Sequence, residues 1–306
     1  MSWSYDDLFD KAIVNAKRAF EGESRESELF VFWATLSLEF LGRAVLAKVH
    51  PSLLADPQSP ESVLYACGVG TAANAKSIAA KTVFARCKVI VPGFSDADFG
   101  FCMMLMGRRN EELHSGLPGF EDLRLEKWLA DYYRAIKKML THLGLDLSHM
   151  LGADDVKAAE AMILAAEKSL IAEVKKRVAA HRTIFEGLEV AAVTAKTKEA
   201  EIARRTLRKP YKPASCPACG NTCPITGELV RSTEPRLLAG LLHWEDIMLP
   251  NALNCDVCGL TLKGHESLHI VDLGGQFTIA TEADPAEYYL EGVDMSRFFE
   301  PEYMNS

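Results

Sequence analysis

The sequence predicts a mainly α-helical chain that ends in a small β-rich module, and three observations predict it. Apolar residues recur at three- and four-residue steps through most of positions 5–208. From Asp154 to Arg208 there is no proline and a single glycine, Gly187. After Lys209-Pro-Tyr-Lys-Pro the composition turns to proline, glycine, cysteine and β-prone runs. The expected divisions are a helical bundle over 1–150, a long connecting helix over 151–209, a β-rich module over 210–283 and an acidic, aromatic tail over 284–306.

The first half divides into helices at recognisable signals. Leu8, Ile13, Ala16 and Phe20 space a helix over 5–20. Residues 26–49 form a second one, too apolar for a surface and so expected to run through the core, ended by His50-Pro51. Short helices follow over 61–90, broken at Gly68 and Gly70. After the Pro92-Gly93 turn, Ser95 with Asp98 supplies a capping start for a helix that runs to Ser115-Gly116. Leu125, Trp128, Leu129, Tyr132, Ile136 and Leu140 then define a helix over 121–143. From Asp154, a stripe including Val156, Ala159, Ile163, Leu170, Val174, His181 and Phe185 predicts one helix of roughly 80 Å. That stripe needs a partner, either the same stripe of a second subunit or the chain's own domain. In the C-terminal module, Leu268-His-Ile-Val-Asp-Leu and Gln276-Phe-Thr-Ile-Ala read as strands, and the tail docks by its aromatic residues or stays loose.

Composition limits the functional classes. With 48% hydrophobic and 25% charged residues in 306, the chain is globular and not wholesale disordered. The start lacks a basic segment followed by an apolar one, and no apolar run approaches the ~20 residues that span a bilayer. A cytoplasmic protein with reduced thiols is expected, with no membrane partner. The net charge of −8 argues against a general polyanion binder and against a DNA regulator. One stretch departs from it: 196–212 carries Lys196, Lys198, Arg204, Arg205, Arg208, Lys209 and Lys212 against Glu199 and Glu201. It is a candidate nucleic-acid contact, the alternative being a solvated helical face.

The chemically suggestive element is Arg109-Asn110-Glu111-Glu112-Leu113-His114 at a helix end. Imidazole is the side chain whose ordinary protonation equilibrium falls near neutral pH, so a histidine here can move a proton from a ribose 2′-hydroxyl or to a leaving 5′-oxygen. A guanidinium offers fixed donors to a phosphate as charge builds on it. With this motif, the helical layout and the apolar second helix, residues 1–150 resemble the HEPN superfamily. Its nuclease members carry an arginine and a histidine separated by four to six residues, often with a polar residue after the arginine. The resemblance implies metal-independent RNA cleavage to a 2′,3′-cyclic phosphate, a homodimer that joins two motifs in one cleft, and a toxin or anti-phage role with a neutralising or defence-system partner. The loose spacing also fits Arg43 with His50 and Arg236 with His243. Asn110 and the helix end distinguish Arg109 and His114. Their alternative is a structural pair, with the arginine on a carboxylate and His114 capping helix carbonyls.

Glu39 and Arg43 lie four apart in the apolar second helix, where unpaired charge is costly. They form an internal salt bridge, or Glu39 reaches the Arg109 and His114 cleft and joins the catalytic set. Arg43, Lys76, Lys81 and Arg86 are candidates to line a phosphate path.

Of eight cysteines, Cys67, Cys87 and Cys102 read as buried small hydrophobes. Cys216-Pro-Ala-Cys219-Gly and Cys255-Asp-Val-Cys258-Gly are two knuckles with 35 residues between them. In a reducing compartment they predict one structural zinc ion with four sulfur ligands, as in a zinc ribbon, and no open coordination position for catalysis. Cys223 is an alternative ligand at poorer spacing, and His265 with His269 a second, weaker metal pair. The leading expectation is an endoribonuclease in which Arg109, Asn110, His114 and Glu39 act and the ribbon with Arg204, Arg205 and Arg208 recruits RNA. The alternative is a non-catalytic dimeric adaptor with a structural zinc ribbon.

Overall fold

The computed structural model describes residues 3–207 and 210–290. The chain divides into two compact units, with the boundary between Glu173 and Val174.

The first unit is all helical. Ser4 caps α1 (Tyr5–Gly22) by accepting the Asp7 amide, and Ser27 caps α2 (Glu28–Val49) by accepting that of Leu29. The short α3 (Pro60–Ala66) and α4 (Ala80–Ile90) follow. α5 (Asp96–His114) starts in a reciprocal capping box between Ser95 and Asp98, and α6 (Leu125–His142) ends at Leu143. The core lies around α2, whose Phe30, Leu38, Leu41, Val45 and Leu46 are fully enclosed. α4 passes α2 so closely that a Cβ on Gly42 would sit 3.1 Å from the Phe84 ring. α2 is long and apolar enough to cross a membrane by composition alone, yet 67% of that window is buried against the protein's own helices.

Asp98 also anchors the core. Its carboxylate is wholly buried and accepts Arg134 Nε at 2.9 Å and Lys138 Nζ at 2.7 Å. Burial pushes its pKa up, but Lys138, the Ser95 amide and Arg134 outweigh that and hold it below the usual carboxylate range.

The expected single long helix is two. α7 (Ala153–Glu186) stops at Gly187-Leu188, and α8 (Val190–Arg205) restarts from Glu189 in extended conformation (ψ 148°). Glycine favours a helix stop, and the last turn closes with the Gly187 amide on Thr183 and the Leu188 amide on Phe185. At 1.5 Å per residue, α7 is about 51 Å long, not 80. The start of the apolar stripe packs within the chain: Ala159 and Ile163 join the helical core.

In the second unit, β1 (Tyr211–Ser215), β2 (Thr222–Ser232), β3 (Arg236–Leu238), β4 (Leu241–Asn254), β5 (Thr261–Lys263) and β6 (Phe277–Ala283) form an antiparallel sheet around the long β4. Ala239 and Gly240, at φ 50° and 88°, make the two-residue turn from β3 to β4. The run expected as a strand at Leu268–Leu273 is instead the end of α9 (His265–His269) followed by a turn. Leu268 is fully buried there, and its carbonyl accepts the Leu273 amide, so the apolar residues serve a compact turn and not a ladder. Gln276-Phe-Thr-Ile-Ala falls largely in β6 as expected. Of the tail, α10 (Pro285–Leu290) places the Tyr288 ring 5.2 Å from that of Trp244 at a tilt of 58°, and 291–306 lie outside the described residues.

Candidate functional site

Two candidate sites emerge, one in each unit. In the helical unit, Glu39 on α2 is 7% exposed and carries a carboxylate shared by two guanidiniums. Arg43 Nη2 donates to Oε1 at 2.8 Å and its Nε to the same oxygen at 3.1 Å, while Arg109 Nη1 of α5 donates to Oε2. Glu39 therefore makes the internal pair with Arg43 and also bonds Arg109. Two cations explain why a carboxylate persists in so apolar a helix.

Asn110 completes the arrangement. Its Oδ1 accepts Arg109 Nε at 3.2 Å and Nη2 at 2.8 Å. Three of the five guanidinium N–H groups are thus engaged, which leaves two to offer a ligand. Arg43 continues the network to Ser77 Oγ at 3.3 Å and the Ile78 carbonyl at 3.2 Å. That brings the loop carrying Lys76 and the start of α4, with Lys81, beside the cluster, and both lysines are exposed. Arg86 instead donates to the Leu53 carbonyl.

His114 is exposed in the last turn of α5, five residues and about 140° around the helix from Arg109. The helix end is held from the other side. Arg108 Nη1 donates to the Gly119 carbonyl at 3.2 Å, and the Gly119 amide donates to Glu112 Oε2 at 2.8 Å. A Cβ at Gly119 would run into the Arg108 carbonyl, so this loop sits against α5 only with glycine there. Sequence reasoning missed that clamp; the Gly119-Phe120 pair, with Phe120 buried, was its only signal.

In the second unit the sulfurs of Cys216, Cys219, Cys255 and Cys258 all lie within 4.8 Å of one another. Cys216 to Cys258 and Cys219 to Cys255 are each 3.6 Å. A tetrahedron with arms of ~2.3 Å has edges of about 3.8 Å, so the four sulfurs fit a zinc ion. The two knuckles repeat one hydrogen-bond pattern. The Gly220 amide donates to Cys216 O at 2.9 Å and the Cys216 amide to Asn221 O at 2.9 Å; the Gly259 amide donates to Cys255 O at 2.7 Å and the Cys255 amide to Leu260 O at 2.9 Å. Gly220 and Gly259 sit at φ 73° and 76°, a region closed to most side chains.

Helical residues grip these knuckles from outside. His181 Nδ1 contacts the Cys258 carbonyl at 2.8 Å, and Arg182 Nη2 donates to the Pro217 carbonyl at 3.1 Å. From α8, Thr197 Oγ1 donates to Asn221 Oδ1 at 3.4 Å, and Asn221 Nδ2 lies 3.5 Å from Cys219 Sγ. His181 stands in the apolar stripe of the sequence, which gave no sign of this contact.

The remaining expectations fall as follows. Arg204 donates to the Thr222 carbonyl and Arg205 pairs with Glu201 at 2.6 Å, while Arg208 lies outside the described residues. His265 and His269 stack at 6.1 Å, and no third histidine, cysteine or carboxylate joins them in a metal-sized group among the described residues. Cys87 and Cys102 are buried, burial pushing the Cys87 thiol up to about 12. Cys67 is exposed, contrary to expectation, because it ends the roughly two-turn α3 just before the Gly68 break instead of facing the core. No family model, curated protein or solved structure matches the chain.

Proposed function

We propose that this chain is a metal-independent endoribonuclease of the HEPN kind, acting in the cytoplasm as a homodimer and using its zinc-bearing module with α8 to recruit RNA. The observation that carries this reading is the state of Arg109: pinned by Glu39 and Asn110, with two N–H groups left over, on the same helix end as an exposed His114.

In this reading the two spare Arg109 donors take non-bridging oxygens of the scissile phosphate. Glu39 and Asn110 hold the guanidinium so that little is lost in orienting it. The 2′-oxygen attacks phosphorus as the bond to the 5′-oxygen breaks; His114 handles the proton that leaves the 2′-hydroxyl or the one that the 5′-oxygen gains. A second copy supplies the other proton-transfer partner. The products are a 2′,3′-cyclic phosphate and a 5′-hydroxyl. Lys76 and Lys81, exposed beside the cluster, attract the flanking phosphates. The zinc supplies structure alone, since four thiolates close its coordination.

A direct test uses one RNA oligonucleotide and its fully 2′-O-methylated copy. The reading predicts cleavage of the first with cyclic-phosphate ends and none of the second. Equal cleavage of both would rule out 2′-oxygen attack. The non-catalytic adaptor reading rests on the exposed Leu164, Ile171 and Ile184 of α7, apolar residues suited to another chain, and predicts no cleavage of either.

A further inference from the structure

The two knuckles share one hydrogen-bond pattern but not one charge. From 202 to 227, around the first, the sequence holds five cations (Arg204, Arg205, Arg208, Lys209 and Lys212) and no acid. At the same offset around the second, 241–266 holds Glu245, Asp246, Asp256 and Glu266 against Lys263 alone. The backbone does not require this difference, since both turns close in the same way. Asp256 sits inside the second knuckle and accepts Asn254 Nδ2 at 2.9 Å, where the first knuckle has Pro217.

The helices docked beside the first knuckle add charge of the same sign. Arg182 of α7 donates to the Pro217 carbonyl, and on α8 Thr197 bonds Asn221 and Arg204 the Thr222 carbonyl. Lys198 and Arg205, seven residues apart, share one side of α8 next to the face that Thr197 turns to the knuckle, while Glu199 lies on the far side. Glu201 holds Arg205. Arg182, Lys198, Arg204 and Lys212 pair with no carboxylate among the described residues, and all but Arg204 are exposed. Arg182 and Arg204 each use one nitrogen on a carbonyl, which leaves their charge and most of their N–H groups. Cations gathered without counter-charge repel one another, a cost that a bound anion removes. Next to Lys212 on the edge strand β1 stands the half-buried Tyr211.

We propose that the rim of the first knuckle binds a single RNA strand, with Arg182, Lys198, Arg204 and Lys212 on its phosphates and Tyr211 stacking on a base. Cations hold a phosphate backbone without regard to sequence, and a ring among them takes any unpaired base. A duplex keeps its bases stacked inside and offers the ring none, so the surface prefers an unpaired strand. The second knuckle repels the same strand through Asp256 and serves structure only. Recruitment thereby extends beyond α8 to Arg182 of α7 and to β1, and is confined to one of the two knuckles. The choice of RNA rests on the nuclease reading above, whereas the anion-binding surface does not.

The experiment measures binding apart from cleavage. The zinc-loaded full chain is titrated into a fluorescent, fully 2′-O-methylated single strand of about 12 nucleotides, and anisotropy is read across a series of salt concentrations. Wild type should bind with an affinity that falls as salt rises. Lys198→Gln combined with Lys212→Gln, both on exposed side chains, should bind about tenfold or more weakly. Its log–log salt slope should flatten by about 1.4, the value for two phosphate contacts on a single strand. Tyr211→Leu should bind about fivefold or more weakly at an unchanged slope. Lys263→Gln, beyond the second knuckle, should match wild type. Wild-type affinity and slope in the double variant, or an equal loss from Lys263→Gln, would overturn the proposal, as would a wild type that does not bind the strand. Polyglutamate of matched charge binding as tightly as the strand would also overturn it, in favour of an acidic protein partner. Binding as expected, with no cleavage of the unmethylated copy, would uphold this surface and contradict the nuclease reading alone.

Discussion

Up to Glu173 the chain encloses large side chains: Trp128, Tyr132, Tyr133, Phe30 and Phe84 are all fully buried, and so are Leu38, Leu41 and Leu46 of α2. From Val174 onward no aromatic side chain among the described residues is fully buried, and four of the buried residues are cysteines. The first unit gains its stability from burying apolar area, which the hydrophobic effect rewards roughly in proportion. The second has partly exposed strands and a metal-sized group of sulfurs in its β1–β2 and β4–β5 turns. Burial of this limited extent leaves a small module dependent on a staple. The polar sites differ in the same sense. Glu39, Arg43 and Arg109 lie beside a large apolar core, whereas the four clustered cysteines lie among fewer and smaller buried side chains.

The largest expected effect tests that contrast. Removing the metal with a strong chelator should unfold the second unit, since structural zinc contributes on the order of 10–16 kcal/mol in small zinc modules. The helices up to Glu173 should persist. Hydrogen exchange read residue by residue checks both halves, and retained protection in β2 and β4 after metal loss would break the comparison.

Next in size is Asp98, the buried carboxylate of the first unit. Asp98→Asn should cost about 3–5 kcal/mol, because it removes the buried charge that Lys138 and Arg134 both bond. Its folded pKa is depressed, so its contribution is present above the ordinary carboxylate pKa and is lost as pH falls through the folded value. Acid denaturation followed by circular dichroism should accordingly be shallower in the variant. An unchanged slope would show that Asp98 is not the group being titrated.

Glu39→Gln should cost less, about 1.5–3 kcal/mol, the value of hydrogen bonds to charged groups. It leaves Arg43 with Ser77 and Ile78 as partners and Arg109 with Asn110. Chemical denaturation measures it, and RNA turnover should fall as well, because Arg109 loses the carboxylate that orients it. A loss of stability with full turnover would make Glu39 purely structural. The smallest stability effect belongs to His114→Ala, within about ±0.5 kcal/mol for an exposed side chain away from any packing.

The same division governs how much the sequence disclosed. Periodic apolar spacing located α1, α2, α5 and α6, and the Ser95–Asp98 cap was readable as a motif because capping is local. The four cysteines were readable because each knuckle is a five-residue unit with its glycine. What escaped was non-local. Nothing near Glu39 in the chain says that Arg109, seventy positions on, shares its carboxylate, although the charge in an apolar helix said that a partner existed. Likewise His181 fits an apolar stripe and reveals its contact with Cys258 only in three dimensions. The split at Gly187 was visible as a lone glycine, but propensity alone does not decide between a tolerated glycine and a stop. The Leu268 run shows the remaining ambiguity, since a short apolar segment fits a strand or a buried turn equally well.

The account stands most directly on His114. Zinc-loaded wild-type protein, with no other divalent ion added, is incubated with RNA beside His114→Ala at equal concentration and equal fold. The prediction is cleavage by the wild type and a loss of about 10²–10⁴-fold in the variant. Turnover by the variant at the wild-type rate would contradict it.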